Sequence, residues 1–306
     1  MPQKCILVTG SSGFVGQHLL RRLNGSNHRI IAVDKEQPPT FIDEVHYHTI
    51  DLSNRPIIDE LIADTSPDTI FHLAAQTSVA VSSREPIQDI QDNVTASVSL
   101  IQSAVHFSIP RIVFTSTGGA MYGDSSAVPF SESTSVNPQS IYGVSKLAVE
   151  HYLRVLTYGT ETAVSVVRPG NIYGPGQNHL GEAGVIAIFG ARMLSEENVT
   201  IFGDGNDTRD YIYVDDVVNI LMAAGEKAPD TCLAGTGIET STNQIFALLA
   251  SAIGYGQQPI HAPARAGDVR RSALDSDKAG KVWGWTPTTP LSEGIAKTVV
   301  WLKTQQ

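Results

Sequence analysis

Short apolar runs and longer amphipathic stretches alternate along the first 170 residues. "CILVTG" (5–10) is an apolar, β-branched run that stops at glycine, as a strand buried on both faces does. "FVGQHLLRRLN" (14–24) carries apolar residues at helical spacing and runs out at Gly25, a C-cap. The same patterns predict strands over 29–34 and 45–51, a helix over 55–64, a buried strand over 68–75 and a long helix over 93–108. A strand over 111–117, a helix over 142–159 and a strand over 163–170 complete the series. Strand and helix in strict alternation imply βαβ units, hence an α/β fold with a doubly wound parallel sheet. Ligands of such sheets bind at the carboxyl ends of the strands.

Beyond residue 170 the texture changes. "NIYGPGQNHLGEAG" (171–184) and "FGDGNDTRD" (202–210) are punctuated by Gly, Pro and Asn, as loops are. Helical spacing returns over 214–226 and 242–254. Two units are expected: residues 1–170, with 214–236 returning to them, and a second, smaller α/β domain over 171–306. Trp283, Trp285 and Trp301 are expected to pack against the smaller unit. Asp215 and Asp216 suit a helix N-terminus, where the macrodipole favours negative charge.

Composition narrows the function. The 306 residues are 42% hydrophobic and 17% charged, ordinary for a globular protein, and long enough for a large core. A formal charge of −10 leaves no basic surplus for nucleic acid or an anionic membrane. No apolar run is long enough to span a bilayer, and the one at the start is too short for a signal peptide. Cys5 and Cys232 form no C-x-x-C pair, and nine histidines show no metal-ligand spacing. A reducing cytoplasm and no metal are therefore expected.

"TGSSGFVG" (9–16) places Gly10, Gly13 and Gly16 after the first strand and at the start of a helix. Gly10 permits the sharp turn, Gly13 lets backbone approach a pyrophosphate, and Gly16 allows close helix–strand packing. Ser12, Phe14 and Val15 share that loop and the helix N-terminus, which offers free N–H groups to an anion. Asp34 ends the second strand, 18 residues after Gly16, where a carboxylate accepts bonds from both ribose hydroxyls and repels a 2′-phosphate. NAD is favoured over NADP, a preference that the adjacent Lys35 weakens slightly.

"QSIYGVSK" (139–146) puts Tyr142 and Lys146 four positions apart, on one helix face. An ammonium and an oxidised nicotinamide both stabilise a phenolate, drawing the Tyr142 pKa from about 10 toward neutrality. Such a phenolate is a general base for a substrate hydroxyl while hydride leaves the same carbon.

With these residues, "LAAQ" (73–76), "TSTGGAMYGD" (115–124), "RPGNIYGPGQ" (168–177) and "GDGNDTRDYIYVDDV" (203–217) resemble the extended short-chain dehydrogenase/reductase family. The match is best to its nucleotide-sugar branch, in particular the UDP-glucose (UDP-galactose) 4-epimerases, and runs from about residue 4 to about 285. The resemblance implies a Rossmann domain, bound NAD and a base–partner pair at Tyr142 and Lys146. The serine usual before "YG" falls on Gly118, so Thr117 is the expected hydroxyl, with Ser116 second. For the cofactor it implies Asp34, the adenine-flanking Asp51 and Leu52, the segment Leu73, Ala74 and Ala75, and Asn93. For the substrate it implies Asn171, Arg209 and Arg265 at the diphosphate and Asp268 near them. Ser272 replaces a bulky tyrosine beside the sugar C2 substituent, which leaves room for an N-acetyl group. Helices 93–108 and 142–158 resemble those of a four-helix dimer contact, so a homodimer is expected.

The branch contains several reactions that begin by oxidation at C4. The 4,6-dehydratases resemble one another in carrying Asp-Glu after the catalytic threonine, where this chain has Gly118 and Gly119. The cysteine of the 3,5-epimerase/reductases and the glutamate of the decarboxylases are absent from that segment. What the resemblance then implies is 4-epimerisation of a UDP-hexose: a 4-keto sugar forms, turns over, and receives hydride on its other face. Another nucleotide-sugar epimerase or reductase, acting on a UDP-uronate or a CDP- or dTDP-sugar, is the alternative. A non-catalytic NAD-binding regulator is the third reading, and the intact Tyr142/Lys146 pair speaks against it.

Overall fold

A computed structural model of the chain describes residues 3–124, 128–179, 184–264 and 269–305. The first half builds β1 (Cys5–Thr9), α1 (Phe14–Asn24), β2 (Arg29–Asp34), β3 (Val45–Thr49), α2 (Arg55–Thr65) and β4 (Thr69–His72). After α3 (Val79–Arg84), helix α4 (Pro86–Asp89) passes through a π-turn (Ile90–Thr95) into α5 (Ala96–His106). Then come β5 (Arg111–Thr115), α6 (Ile141–Leu156) and β6 (Ala163–Pro169). The long helix expected over 93–108 thus begins earlier and is interrupted, a feature that apolar periodicity does not register. The strand expected over 68–75 stops at His72, because the chain there leaves the sheet to line the site.

The rest of the chain forms β7 (Asn171–Tyr173), α7 (Val185–Leu194), β8 (Thr200–Phe202), β9 (Thr208–Arg209), β10 (Tyr211–Tyr213) and α8 (Val214–Glu226). It continues with β11 (Thr231–Ala234), β12 (Thr240–Ser241), α9 (Thr242–Ile253), β13 (Ile260–Ala262), α10 (Asp277–Trp283) and α11 (Leu291–Lys303). Seven parallel strands make the main sheet in the order β11-β6-β5-β4-β1-β2-β3. Chain order reverses between β1 and β4, so the switch point opens there.

Alternate strand residues serve two cores. Ile6, Val8, Ile30 and Ala32 face Leu19, Leu20 and Leu23 of α1 and Val217 and Leu221 of α8. Leu7, Ile31, Val33 and Ile70 face Ile58 and Ile62 of α2, Leu100 and Ile101 of α5, and Val149 and Leu153 of α6. Burial on both faces explains why these strands read as continuous apolar runs. A third core, with Phe189, Met193, Leu249, Ile295 and Val299, unites α7, α9 and α11. Among the described residues no helix is long and apolar enough to cross a membrane.

Trp283 and Trp285 depart from expectation: both join the core beneath α1 and α8. Their indole N–H groups donate to Ala228 O at 2.9 Å and Asp216 O at 3.0 Å, so each buried ring satisfies its polar edge on α8 or the loop after it. Asp215 and Asp216 occupy the first turn of α8 but do different work. Asp216 is buried and accepts Thr288 N–H, Thr288 Oγ1–H and Thr289 N–H at 2.8–3.1 Å. Asp215 is largely exposed and meets His18 at 3.1 Å. Asp216→Ala strands buried donors and should lower unfolding stability by about 1–3 kcal/mol in urea titrations. Asp215→Ala should cost about 0–1 kcal/mol.

Candidate active site

The glycine loop closes the switch point. Gly10 takes φ 68°, and a Cβ there would stand 2.5 Å from Ala74 N. A Cβ on Gly16 would stand 2.1 Å from the Gly10 carbonyl oxygen, so α1 leaves β1 at this closeness only with glycine. Gly13 is the N-cap of α1 and brings no side chain to its first-turn N–H groups, leaving those of Phe14 and Val15 for an external acceptor. Ser12 N–H donates to Asp34 Oδ2 at 2.9 Å, seating the acidic end of β2 beside the loop. Leu73 N–H reaches Thr9 O at 3.2 Å and Ala74 N–H reaches Thr9 Oγ1 at 3.3 Å, so residues 73–75 form the facing wall. Asp51 is exposed, and the Ser53 N–H bond holds its carboxyl below the usual range. Leu52 is buried among the residues under β2. Lys35 reaches Asp92 at 3.6 Å.

Helix α6 delivers the phenol and the ammonium. Ser140 Oγ caps it by accepting Gly143 N–H at 3.1 Å. A Cβ on Gly143 would lie 2.5 Å from Ala120 O, so the turn that carries Tyr142 abuts the 117–120 segment. Thr117 Oγ1 accepts Ala120 N–H at 3.2 Å, and its own proton finds no acceptor among the described residues. Ser116 differs: its hydroxyl donates to Glu150 at 2.5 Å, and Glu150 is paired with Arg168 at 2.5 Å. The structure therefore leaves the Thr117 hydroxyl uncommitted on the segment that abuts α6 and ties Ser116 to a buried ion pair.

Lys146 is buried, with Nζ 4.5 Å from the centroid of Phe114 and no protein acceptor among the described residues. Burial pushes its pKa down to about 7, against the opposing pull of Glu150 and Asp89. The shift of Tyr142 toward neutrality is expected with an oxidised nicotinamide beside it, and the protein's own groups act in the other direction. Burial, and then the charge of Asp89, push its phenol above the ordinary value of 10 rather than toward neutrality. His72 stacks on Phe114 and bridges Thr9 Oγ1 at 2.7 Å and Ser97 Oγ at 2.8 Å. Burial and Lys146 hold it at about 3, so it is a neutral spacer. Asn93 lies in the π-turn, where its Oδ1 accepts Gln76 N–H at 2.8 Å and its Nδ2 donates to Gln76 O at 3.0 Å.

On the other side, a Cβ on Gly119 would meet Asn171 Oδ1 at 3.1 Å, so Asn171 lies against the same segment. Arg209, on β9, is half-buried and donates to its neighbour's carbonyl, Thr208 O, at 2.9 Å. Ser272 is buried, and its Oγ has no hydrogen-bond partner among the described residues. Arg265 and Asp268 lie outside the described residues. Sequence reasoning missed Asp89, Gln76, Ser145, Glu150 and Arg168, which surround the dyad. Only Glu150 carried a signal, the i+4 spacing from Lys146.

The profile of the NAD dependent epimerase/dehydratase family matches residues 6–232. A UDP-glucose 4-epimerase of Mycolicibacterium smegmatis is 40% identical over 302 residues, covering 96% of each chain. The crystal structure of a Thermotoga maritima UDP-glucose 4-epimerase with UDP-glucose superposes with a TM-score of 0.96 at 38% identity, over 98% of this chain and 99% of that one. That of a Thermus thermophilus UDP-glucose 4-epimerase with NAD gives 0.92 at 32% identity, over the same shares. On sequence, fold and the placement of its glycine loop and Tyr142/Lys146 pair, the chain belongs to the NAD dependent epimerase/dehydratase family.

Proposed function

We propose that this chain interconverts the C4 epimers of a UDP-hexose, UDP-glucose and UDP-galactose first, with NAD as a bound and regenerated cofactor. The observation that carries the reading is the buried Lys146 one turn from Tyr142, with the 117–120 segment against the same turn. Two unsatisfied sets of donors fit the cofactor: the first-turn amides of α1 suit a pyrophosphate, and Lys146 Nζ suits ribose hydroxyls. Gly10, Ser12, Gly13, Phe14, Val15 and Gly16 would hold the pyrophosphate, Asp34 the adenosine ribose, and Asp51 and Leu52 the adenine. Leu73, Ala74, Ala75 and Asn93 would line the path toward Lys146. Bound there, NAD supplies a reversible hydride acceptor for C4.

Tyr142 takes the proton of the C4 hydroxyl and returns it after the sugar has turned. Thr117, whose proton is unclaimed, holds the same oxygen. Asn171 and Arg209 face the diphosphate, where a guanidinium fork suits phosphate oxygens. Ser272, small and without a hydrogen-bond partner among the described residues, leaves space for an N-acetyl group, so N-acetylated UDP-hexoses are substrates too. The partner on the outer face is a second copy of the chain. Val144, Tyr152, Val155 and Tyr158 on or just beyond α6 and Ile87 and Ile90 before α5 are exposed and apolar, a patch suited to a four-helix contact.

Tyr142→Phe should lower C4 inversion, followed by sugar NMR, by roughly 10²–10⁴-fold while bound NAD is retained. Full activity in that variant would end the reading. Ser272→Tyr should abolish turnover of UDP-N-acetylglucosamine and spare UDP-glucose. Equal turnover of both sugars by the variant would remove the pocket argument. Tyr152→Asp combined with Val155→Asp should give a monomer by light scattering, where the unaltered chain gives a dimer.

A further inference from the structure

Asp89 is a buried carboxylate to which the proposed reaction assigns no role. It ends α4 at 1% exposure, just before the π-turn. Its Oδ2 accepts Ser145 Oγ–H at 2.6 Å, and Ser145 stands immediately before Lys146 on α6. Its Oδ1 accepts Asn93 Nδ2–H at 2.9 Å and Gln76 Nε2–H at 3.1 Å. All three donors are neutral. One carboxylate therefore ties the loop after β4 and the π-turn to the turn of α6 that carries the dyad.

The charged and titratable groups around that dyad can be sorted. From α6 itself comes Glu150, already neutralised by Arg168 of β6 at 2.5 Å. From β4 comes His72, held neutral through the working range. From α4 comes Asp89, with no cation of its own. Glu150 and Asp89 both favour the ammonium of Lys146, and Asp89 is the one that also favours the protonated form of Tyr142.

Resting on the reading of Tyr142 as base and Lys146 as its cation, we propose that Asp89 is a positioning residue that sets the pH window in which this pair works. A negative charge near both groups resists loss of the proton from each. It opposes, together with Glu150, the loss of the Lys146 proton that burial favours, and it holds the Tyr142 proton until a substrate-loaded, cationic site draws it off. The two groups titrate as a coupled pair, so the prediction concerns the two limbs of the pH–rate profile rather than either residue alone. The acid limb marks arming of the base, and the alkaline limb marks loss of the ammonium.

UDP-glucose epimerisation by the unaltered holoenzyme is measured first; its absence defeats the functional reading and not the role of Asp89. Given turnover, Asp89→Asn with NAD retained should move both limbs toward acid, by roughly one pH unit. Limbs that stay in place while the rate falls would mean a packing role and overturn the proposal. Ser145→Ala keeps the charge and removes the bridge, so its limbs should not move toward acid; an acid shift equal to that of Asp89→Asn overturns the proposal as well. Should Asp89→Asn not fold, aspartate-labelled carboxyl 13C NMR of the unaltered holoenzyme decides, the Asp89 signal being identified by its displacement in Ser145→Ala. An ionised Asp89 across the working range supports the proposal, and a protonated one overturns it.

Discussion

An ammonium without a protein oxygen to receive it is the constraint around which this molecule is arranged. Lys146 Nζ lies over the ring of Phe114, below the surface, and no described hydrogen bond reaches it. Taking such a charge out of water costs several kcal/mol. The fold offsets that cost with an aromatic face and with two carboxylates on different elements, Glu150 and Asp89. Each carboxylate is itself anchored, Glu150 to Arg168 and Ser116, Asp89 to Ser145, Asn93 and Gln76. The carboxylates that face this cation thereby also tie the sheet and the π-turn to α6. An alkyl chain at position 146 would pack there at less cost, which is why the charge reads as chemistry rather than architecture.

The parallel sheet makes this convergence possible. Strands β1, β4, β5 and β6 run side by side, so their carboxyl ends release Gly10, Leu73, Ser116 and Gly170 along one edge. Pairing continues past the strand ends, with Ser116 N–H on Val167 O at 2.8 Å and Gly118 N–H on Pro169 O at 2.7 Å. Loops pinned in this way cannot drift, and the glycine contacts show how tight the fit is. The Gly10–Gly16 approach fixes α1 to β1, and the Gly143–Ala120 approach fixes α6 to the Thr117 segment. Backbone contact thus sets the first turn of α6, which carries Tyr142, against the segment that begins at Thr117.

The main elements were legible because their information is local. "RIIAVD" and "FVGQHLLRRLN" announce a strand and a helix by period alone, and both occupy the predicted spans, 29–34 and 14–24. The Tyr142/Lys146 spacing and the glycine triplet are local too. Partnerships across the chain left no such trace. Asp89 and Asp92 look alike in "EPIQDIQDN", yet one is buried on Ser145 and the other meets Lys35. Ser116 and Thr117 offer the same hydroxyl chemistry, and only the position of Glu150 separates them. Trp283 and Trp285 were misplaced for the same reason, since apolar bulk signals burial but not against which core.

Gly118 shows how packing restricts chemistry. A Cβ there would lie 2.4 Å from Leu274 Cδ1 and 3.0 Å from Arg168 O. The Leu274 backbone is held by its N–H at 3.0 Å on Asp210, a buried carboxylate that also binds Thr236 and Gly237, so a side chain at 118 is admitted only by turning the Leu274 isobutyl group aside and easing the Arg168 carbonyl. That isobutyl group packs with Phe130 and Met121, which a larger side chain at 118 would crowd. Elimination from a keto sugar needs a proton-transferring side chain after the catalytic hydroxyl. Gly118 and Gly119 themselves carry no group that can transfer a proton, which fits the proposed reaction, in which a single base serves C4. One base on one oxygen can take a proton and give it back, and that is sufficient for epimerisation at C4.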